Sequence, residues 1–521
     1  MSLRSLRFLA VLLLLALVGC GSLPANVQRP RSYSLPALPD KSPLARLAAA
    51  QLPVGAQSGF RLLPLGSYAL DARLALIERA THSLDLQYYI WDNDASGRAI
   101  FGALKDAAKR GVRVRLLLDD LNTARAEELL HALSSVSNLE IRLFNPFCCG
   151  RGSLASRIAS SLGELQRLDH RMHNKLLIAD GALAIVGGRN IADEYFARNP
   201  VANFIDLDAI AAGRVVPQLA VLFDRYWNSD ESFPMAYFSG SRDPNSYPSL
   251  LQQLLPPRVA RIPLDLSEKD LLDQEPVSKE LDGNRLTLIP GLAYAVADRP
   301  SKRVDTVEEV ESSSLMSGAM SQMLATRSEL VMTSPYFVPT KIGMGVLKSL
   351  EQKGVRMVLV TNSLPSTDSA FVYFGYARYR PAIVKAGVDL YEVSASPASS
   401  QDSKPVFGGG SSRGRLHAKL AVIDAEVVLL GSLNFDPRSA RTNTELGVAV
   451  ESPELAMQAL RIVEAMKAEA YRVRLEPDGG ALAWIPPNGD DDQAVEVEPG
   501  VSTLNALQRL LLNPLVPEDL L

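Results

Sequence analysis

Apolar and polar positions along this chain alternate between short strand-like runs and longer helical stretches. Leu176-Leu177-Ile178-Ala179 followed by Ala182 to Val186, and Leu420-Ala421-Val422-Ile423 followed by Val427 to Leu430, are paired apolar runs broken by a polar turn. Each pair predicts a strand, a tight turn and a second strand. Ser83 to Ile90 and Glu329 to Phe337 are further strand patterns. Each is followed by a helical segment, Gly97 to Lys109 or Lys341 to Gln352. Next come the matching strands Gly111 to Leu118 and Gly354 to Val360, then Leu139 to Phe144 and Val388 to Val393. One succession is thus written twice. It predicts an α/β fold in two halves, each a mixed or parallel sheet flanked by helices. The charged, proline-containing stretch 256–312 is the expected linker between halves 56–255 and 313–475. Residues 476–521, with Asp490-Asp491-Asp492 and Leu510-Leu511-Leu512, read as a covering tail on the second half.

The N-terminus breaks this alternation. Arg4 and Arg7 precede an almost wholly apolar stretch, Phe8 to Val18, too short for a comfortable span of about 20 residues. Leu17-Val18-Gly19-Cys20 then resembles a lipoprotein signal, so residues 1–19 are expected to be removed and Cys20 lipidated. Gly21 is not the aspartate associated with inner-membrane retention, which points to an outer-membrane, periplasm-facing protein. Residues 20–55, rich in Pro, Ser and Ala, read as a tether, with material for a small helix after Asp40.

Composition narrows the function classes. The other cysteines, Cys148 and Cys149, are adjacent and form no disulfide framework. No Cys/His cluster has metal-ligand spacing, so neither metal nor other cofactor is expected. A formal charge of −4 and a pI near 5.9 argue against a general duplex-DNA binder, and no nucleic-acid partner is expected.

Against that background one chemical frame stands out. His173-Asn174-Lys175, Asp180 and Gly187-Gly188-Arg189-Asn190 have the same spacing as His417-Ala418-Lys419, Asp424 and Gly431-Ser432-Leu433-Asn434. The chain has 5 histidines, and the chance of the whole frame following any one of them is on the order of 10⁻⁵. In extended backbone His173 and Lys175 point the same way, as do His417 and Lys419. Asn190 and Asn434 arrive from the neighbouring strand after a glycine that permits a close bend.

These paired frames resemble the HKD motifs of the phospholipase D superfamily. Tyr88-Tyr89-Ile90-Trp91, Ser334-Pro335-Tyr336-Phe337 and Asp436-Pro437-Arg438-Ser439 with Asn443-Thr444-Glu445 resemble its bacterial cardiolipin synthase C type. The likeness runs from about residue 55 to the C-terminus. It implies two pseudo-twofold-related lobes with one active site between them. It also implies phosphatidyl transfer through a phosphohistidine, making cardiolipin from phosphatidylglycerol and a second phospholipid such as phosphatidylethanolamine. By the same resemblance His173 is the nucleophile and His417 the general acid and base. Lys175, Lys419, Asn190 and Asn434 are expected to stabilise the developing charge.

Several readings stay open in the sequence. Asp180 and Asp424 either orient the opposite histidine or structure their turns. Glu445 is expected to hold one imidazole, with Asp206 or Asp208 as its first-half equivalent. Gly188, where the common superfamily form has Ser, removes a hydroxyl available at Ser432. The helix carrying Phe371, Tyr373, Phe374, Tyr376 and Tyr379 with Arg378 and Arg380 is either core or a substrate wall, and Tyr88, Tyr89 and Trp91 could face it. Among these, Tyr88, Tyr376, Tyr379 and Arg380 are the expected substrate-binding residues. The same chemistry would serve a hydrolytic phospholipase D or, less in keeping with the acidic composition, a nucleic-acid phosphodiesterase. The oligomeric state is not legible.

Overall fold

The computed structural model describes residues 26–52, 54–238, 244–255, 266–302, 314–394, 413–476 and 480–501, with positions 23 and 264. The predicted signal, Cys20 and residues 502–521 of the tail lie outside the described residues. The fold is α/β, with mixed sheets flanked by helices. In the first half Ser83–Tyr88, Arg113–Asp119 and Leu139–Phe144 are parallel neighbours. Ser83–Tyr88 then pairs antiparallel with Leu176–Ala179, which continues through Leu183–Gly187 and Asp208–Gly213 to Ser58–Leu63. In the second half Glu329–Thr333, Arg356–Asn362 and Val388–Val393 form the parallel set. Leu420–Ile423, Val427–Gly431, Leu446–Glu451 and Ile289–Ala297 follow in antiparallel order. Pairing of Ile289–Gly291 with Ser58–Phe60 makes the two sheets one open run.

Leu176–Ala179 and Leu420–Ile423 are buried along their whole length, which explains why they read as unbroken apolar runs. Their inward residues share one core with helices Val215–Trp227 and Pro453–Ala468. That core includes Leu176, Ile178, Phe223 and Trp227 beside Val331, Leu420, Ile462 and Met466. Each fully buried aliphatic side chain there is worth roughly 1.5–3 kcal/mol of transfer free energy, so the packed interior fixes how the two sheets face each other. Caps set the outer helices: Asp94 accepts from Gly97 N–H before Ala95–Lys109, and Ser452 accepts from Leu455 N–H before Pro453–Ala468.

Two boundaries differ from expectation. Residues 26–52 are docked along the first half, not a free tether. Ser34 N–H donates to Asp224, Arg115 donates to Ser32 O, and helix Pro43–Gln51 buries Leu44, Ala45, Leu47 and Ala48. The expected linker 256–312 contains helix Val277–Asp282 and strand Ile289–Ala297, whose backbone completes the second sheet. Some of its charges are paired inside the fold, as Glu280 is with Arg61 at 2.6 Å and Lys302 with Asp298 at 2.8 Å. The described part of the tail adds strand Leu482–Ile485 to the second sheet's edge beside Ala470–Leu475.

Candidate active site

His173 and His417 each continue a short strand that pairs with the other half of the chain. Arg171–Met172 runs parallel to Asn443–Thr444, and Arg413–Leu416 runs parallel to Ala202–Ile205. The histidine backbones extend both ladders: His173 N–H donates to Thr444 O at 2.9 Å and His417 N–H to Ile205 O at 2.7 Å. The residue after each partner strand is a carboxylate. Glu445 Oε2 lies 2.9 Å from His173 Nδ1, and Asp206 Oδ2 lies 2.6 Å from His417 Nδ1. A carboxylate at Nδ1 selects the tautomer with its hydrogen there and leaves Nε2 available for chemistry.

The lysines follow from the strand period. Lys175 Nζ donates to His173 O and Lys419 Nζ to His417 O, each at 2.6 Å. Burial, partly offset by Glu445, brings Lys175 down to about 7; burial, partly offset by Asp206 and Glu445, brings Lys419 down to about 8. Burial, then the two lysines, holds His173 well below the ordinary histidine value. Burial and Lys419 also lower His417, while Asp206 pushes it back up.

The two carboxylates differ. Burial pushes Glu445 up to about 7, with Lys175 and the hydroxyls of Ser432 and Ser439 opposing. Burial also acts to raise Asp206, but His417, Lys419 and Arg189 outweigh it and keep Asp206 below the usual carboxylate range. The two imidazoles are therefore buffered differently: one against a carboxylate that titrates near neutrality, the other against a firmly ionised one.

A family model described as "Cardiolipin synthase, PLD-like domain" matches residues 74–227 and 320–467, and each segment contains one His-Lys pair with its glycine–asparagine turn. The chain belongs to the phospholipase D superfamily. It is 35% identical over 488 residues to "Cardiolipin synthase C" of Escherichia coli (strain K12), covering 88% of this chain and 96% of that protein. It is 27% identical over 421 residues to "Cardiolipin synthase" of Geobacillus kaustophilus (strain HTA426), covering 79% of this chain and 67% of that one. Phosphatidylserine synthase of Haemophilus influenzae Rd KW20 superposes with a TM-score of 0.58 at 12% identity, covering 92% of this chain and 100% of that chain. That last likeness is one of fold.

Within the phospholipase D frame, the aspartates have the turn role. Asp180 accepts from the backbone N–H groups of Thr81, His82 and Ser83 and from the Ser42 hydroxyl. Asp424 accepts from the N–H groups of Arg327, Ser328 and Glu329. Both sit at positive φ, +52° and +53°, in the turn beyond their strands, and neither bonds to a site histidine. The alternative that they orient the opposite imidazole is set aside: that position belongs to Glu445 and Asp206. Asp208 pairs instead with Arg73 and Arg189.

The glycine–asparagine turns are tight for a steric reason. A Cβ on Gly187 would lie 2.3 Å from Asp208 Oδ1, and one on Gly431 2.3 Å from Leu446 O. The Gly188/Ser432 difference matches the two carboxylates. A Cβ on Gly188 would meet Asp206 Oδ1 at 2.1 Å, whereas the Ser432 hydroxyl donates to Glu445 Oε2. Asn190 is partly committed, since its Nδ2 donates to Tyr195 OH at 2.9 Å and its Oδ1 accepts from Ile90 N–H. Asn434 is buried with no partner on Oδ1.

The lipid-pocket residues are where the sequence misled. Tyr88 lies in the core, bonded to Arg73 and edge-on to Trp91, because strand alternation turns it away from the site. Its neighbour Tyr89 faces inward, with its ring 5.0 Å from His173 and 5.5 Å from Lys175 Nζ. Tyr376 and Arg380 are also core residues: Tyr376 OH donates to Glu392 at 2.6 Å, and Arg380 pairs with Glu392 at 2.8 Å and with Glu498 of the tail. Tyr379 packs at the edge of that outer cluster. An aromatic helix laced with arginine looks like a binding wall, but here a buried carboxylate is what the arginine meets.

The sequence also passed over the layer around the site. Tyr195 and Phe204 place their rings 5.2 and 4.9 Å from His417. Ser439 OH donates to Glu445 Oε1 at 2.7 Å. Asp298 accepts from Glu445 N–H at 3.0 Å, and Lys302 Nζ joins Asp298 Oδ2 at 2.8 Å to Ser439 O at 2.7 Å. Asp298 and Lys302 come from the segment read as a linker, where no repeat signals them.

Proposed function

We propose that the two halves act as pseudo-twofold lobes around one site that makes cardiolipin by phosphatidyl transfer. The observation that carries this is the reciprocal arrangement: each histidine stands on one half of the chain with its Nδ1 on a carboxylate from the other. Family membership and the relative named "Cardiolipin synthase C" support the transfer reading over other phosphodiester chemistry.

The chemistry follows from the charges. His173, neutral and bonded at Nδ1 to Glu445, attacks phosphorus through Nε2. As the N–P bond forms, the P–O bond to the departing headgroup oxygen breaks, and His417 Nε2–H gives that oxygen its proton. Asp206 stabilises the imidazolium that supplies the proton. Lys175 and Lys419, with the amide hydrogens of Asn190 and Asn434, meet the charge developing on the nonbridging oxygens. His417, now neutral, takes the proton of an incoming lipid hydroxyl, whose oxygen displaces His173 and forms cardiolipin. In this reading phosphatidylglycerol supplies the accepting glycerol hydroxyl, and the phosphatidyl group comes from a second phosphatidylglycerol, which releases glycerol, or from phosphatidylethanolamine, which releases ethanolamine. Membrane attachment through Cys20 on the periplasmic side of the outer membrane rests on the N-terminal residue pattern. Among the described residues no helix is long and apolar enough to cross a membrane.

Incubation of the mature protein with defined phospholipids, followed by product mass spectrometry, tests the reading. Cardiolipin is expected to exceed phosphatidic acid at early times. Phosphatidic acid dominating from the first time point under lipid saturation would assign a hydrolytic phospholipase D instead.

A further inference from the structure

Helix Leu315–Leu324 separates two apolar hollows beside the site. On one flank Met316, Met320 and Met323 face Phe337 and Phe435 across a volume of about 80 Å³. On the other, Leu315, Gly318 and Ala319 face Leu429, Gly447 and Ala449 across about 300 Å³. The second volume lies at the lower end of the range of ligand pockets, and the first is smaller. Phe435 lines both hollows, and the second also has Lys419 and Leu433 in its wall, so it reaches the site.

The first half shows that this openness is not a general property of the fold. There, Ile185 and Ile210 stand on the strands and face that correspond to Leu429 and Ala449. They are buried in one cluster with Leu44, Leu47 and Ala48 of helix Pro43–Gln51. The helix ahead of that sheet, Gly66–Arg79, is buried over most of its length, whereas Leu315–Leu324 buries only Met316 and Met323. No described helix takes the place of Pro43–Gln51 on the second half. Tyr294 and Val296 at the rim are 58% and 47% exposed, so an apolar face continues outward from a catalytic lysine.

We propose that the two hollows flanking helix Leu315–Leu324 receive the two acyl chains of the phosphatidyl group. The proposal rests on the phospholipid reading above and deepens it. Lys419 is positioned to hold the phosphate, and the diacylglycerol continues from that phosphate along the wall that Lys419 shares. Two flanks meeting at Phe435 match two chains joined at one glycerol. Methionines on one flank can repack around chains of differing shape.

The test uses phosphatidylglycerols with chains from dibutanoyl to didecanoyl, presented as monomers, and the Gly318→Phe variant. A Cβ at Gly318 meets nothing within 4 Å, so the added ring extends into open space and the fold tolerates it. In the parent protein kcat/KM should rise with chain length by up to about fourfold per buried methylene. Gly318→Phe should lower kcat/KM at least tenfold for the didecanoyl lipid, while sparing dibutanoyl phosphatidylglycerol and bis(p-nitrophenyl) phosphate. Equal loss on all three, or unchanged chain-length dependence, would overturn the assignment.

A second arm needs no turnover. Phosphatidylglycerol with a diazirine near the acyl terminus, photolysed on His173→Ala protein, should label Leu315–Leu324 or the strands facing it. Labelling elsewhere, or none, would overturn the acyl-chain site. Failure of the parent protein to make cardiolipin, with labelling intact, would count against the transfer reading alone.

Discussion

A carboxylate near 7 beside one imidazole and lysines near 7 and 8 give the site a narrow working range. Glu445 must be ionised to accept from His173 Nδ1, and it gains its proton as pH falls through about 7. Lys175 and Lys419 must be charged, and they lose their protons as pH rises through about 7 and about 8. The pH profile of kcat/KM should therefore be bell-shaped and centred between these values. An anionic phosphodiester stabilises both ammonium groups, so the basic limb of kcat should lie higher than that of kcat/KM. A flat profile from pH 5 to 9, at constant salt and lipid presentation, would contradict these assignments. Glu445→Gln should cost about 10²–10⁴-fold in kcat, the range for an acid–base group deprived of its partner, and weaken the acid limb. Lys175→Met and Lys419→Met should each cost about 10²–10³-fold, the cost of losing one charge-stabilising group.

At the scale of elements, the two HKD aspartates should separate stability from chemistry. Asp180→Ala removes an acceptor that serves three backbone N–H groups, leaving them unpaired where the strand Ser83–Tyr88 begins. The expected loss is about 3 kcal/mol of stability, read from denaturant midpoints, with near-normal kcat in the folded fraction. A large kcat loss at unchanged stability would return Asp180 to the site. The elements themselves were legible because their signals are local. Leu139–Phe144, Leu176–Ala179, Val388–Val393 and Leu420–Ile423 appear at their expected bounds, since a strand buried on both faces reads as an apolar run and the others as alternation. Asp206 and Glu445 are less visible. What defines them is the register of Ala202–Ile205 against Arg413–Leu416 and of Asn443–Thr444 against Arg171–Met172, a long-range pairing that no local pattern encodes. The direction of Tyr88 failed by a single residue for the same reason, because adjacent strand positions face opposite sides.

For the whole molecule, the proposed mechanism makes the reaction the work of both halves together. In the proposed mechanism Lys175 and Lys419 supply the phosphate's counter-charge, so activity should survive exhaustive EDTA treatment at constant salt and lipid presentation. Loss restored specifically by a divalent ion would require another source of charge stabilisation. The shared core of Val215–Trp227 and Pro453–Ala468 holds the halves in register, and neither half carries a complete acid–base set. The central claim is that His173, held from the far half by Glu445, carries the phosphatidyl group. The direct measurement is acid-free rapid quench of the His417→Ala protein with a phosphatidyl p-nitrophenyl ester, whose leaving group departs without a proton while loss of the base slows resolution of the intermediate, followed by peptide mass spectrometry. A phosphatidyl adduct on His173 that disappears in His173→Ala is the predicted result. An adduct on another residue, or transfer activity persisting in folded His173→Ala protein, would contradict it.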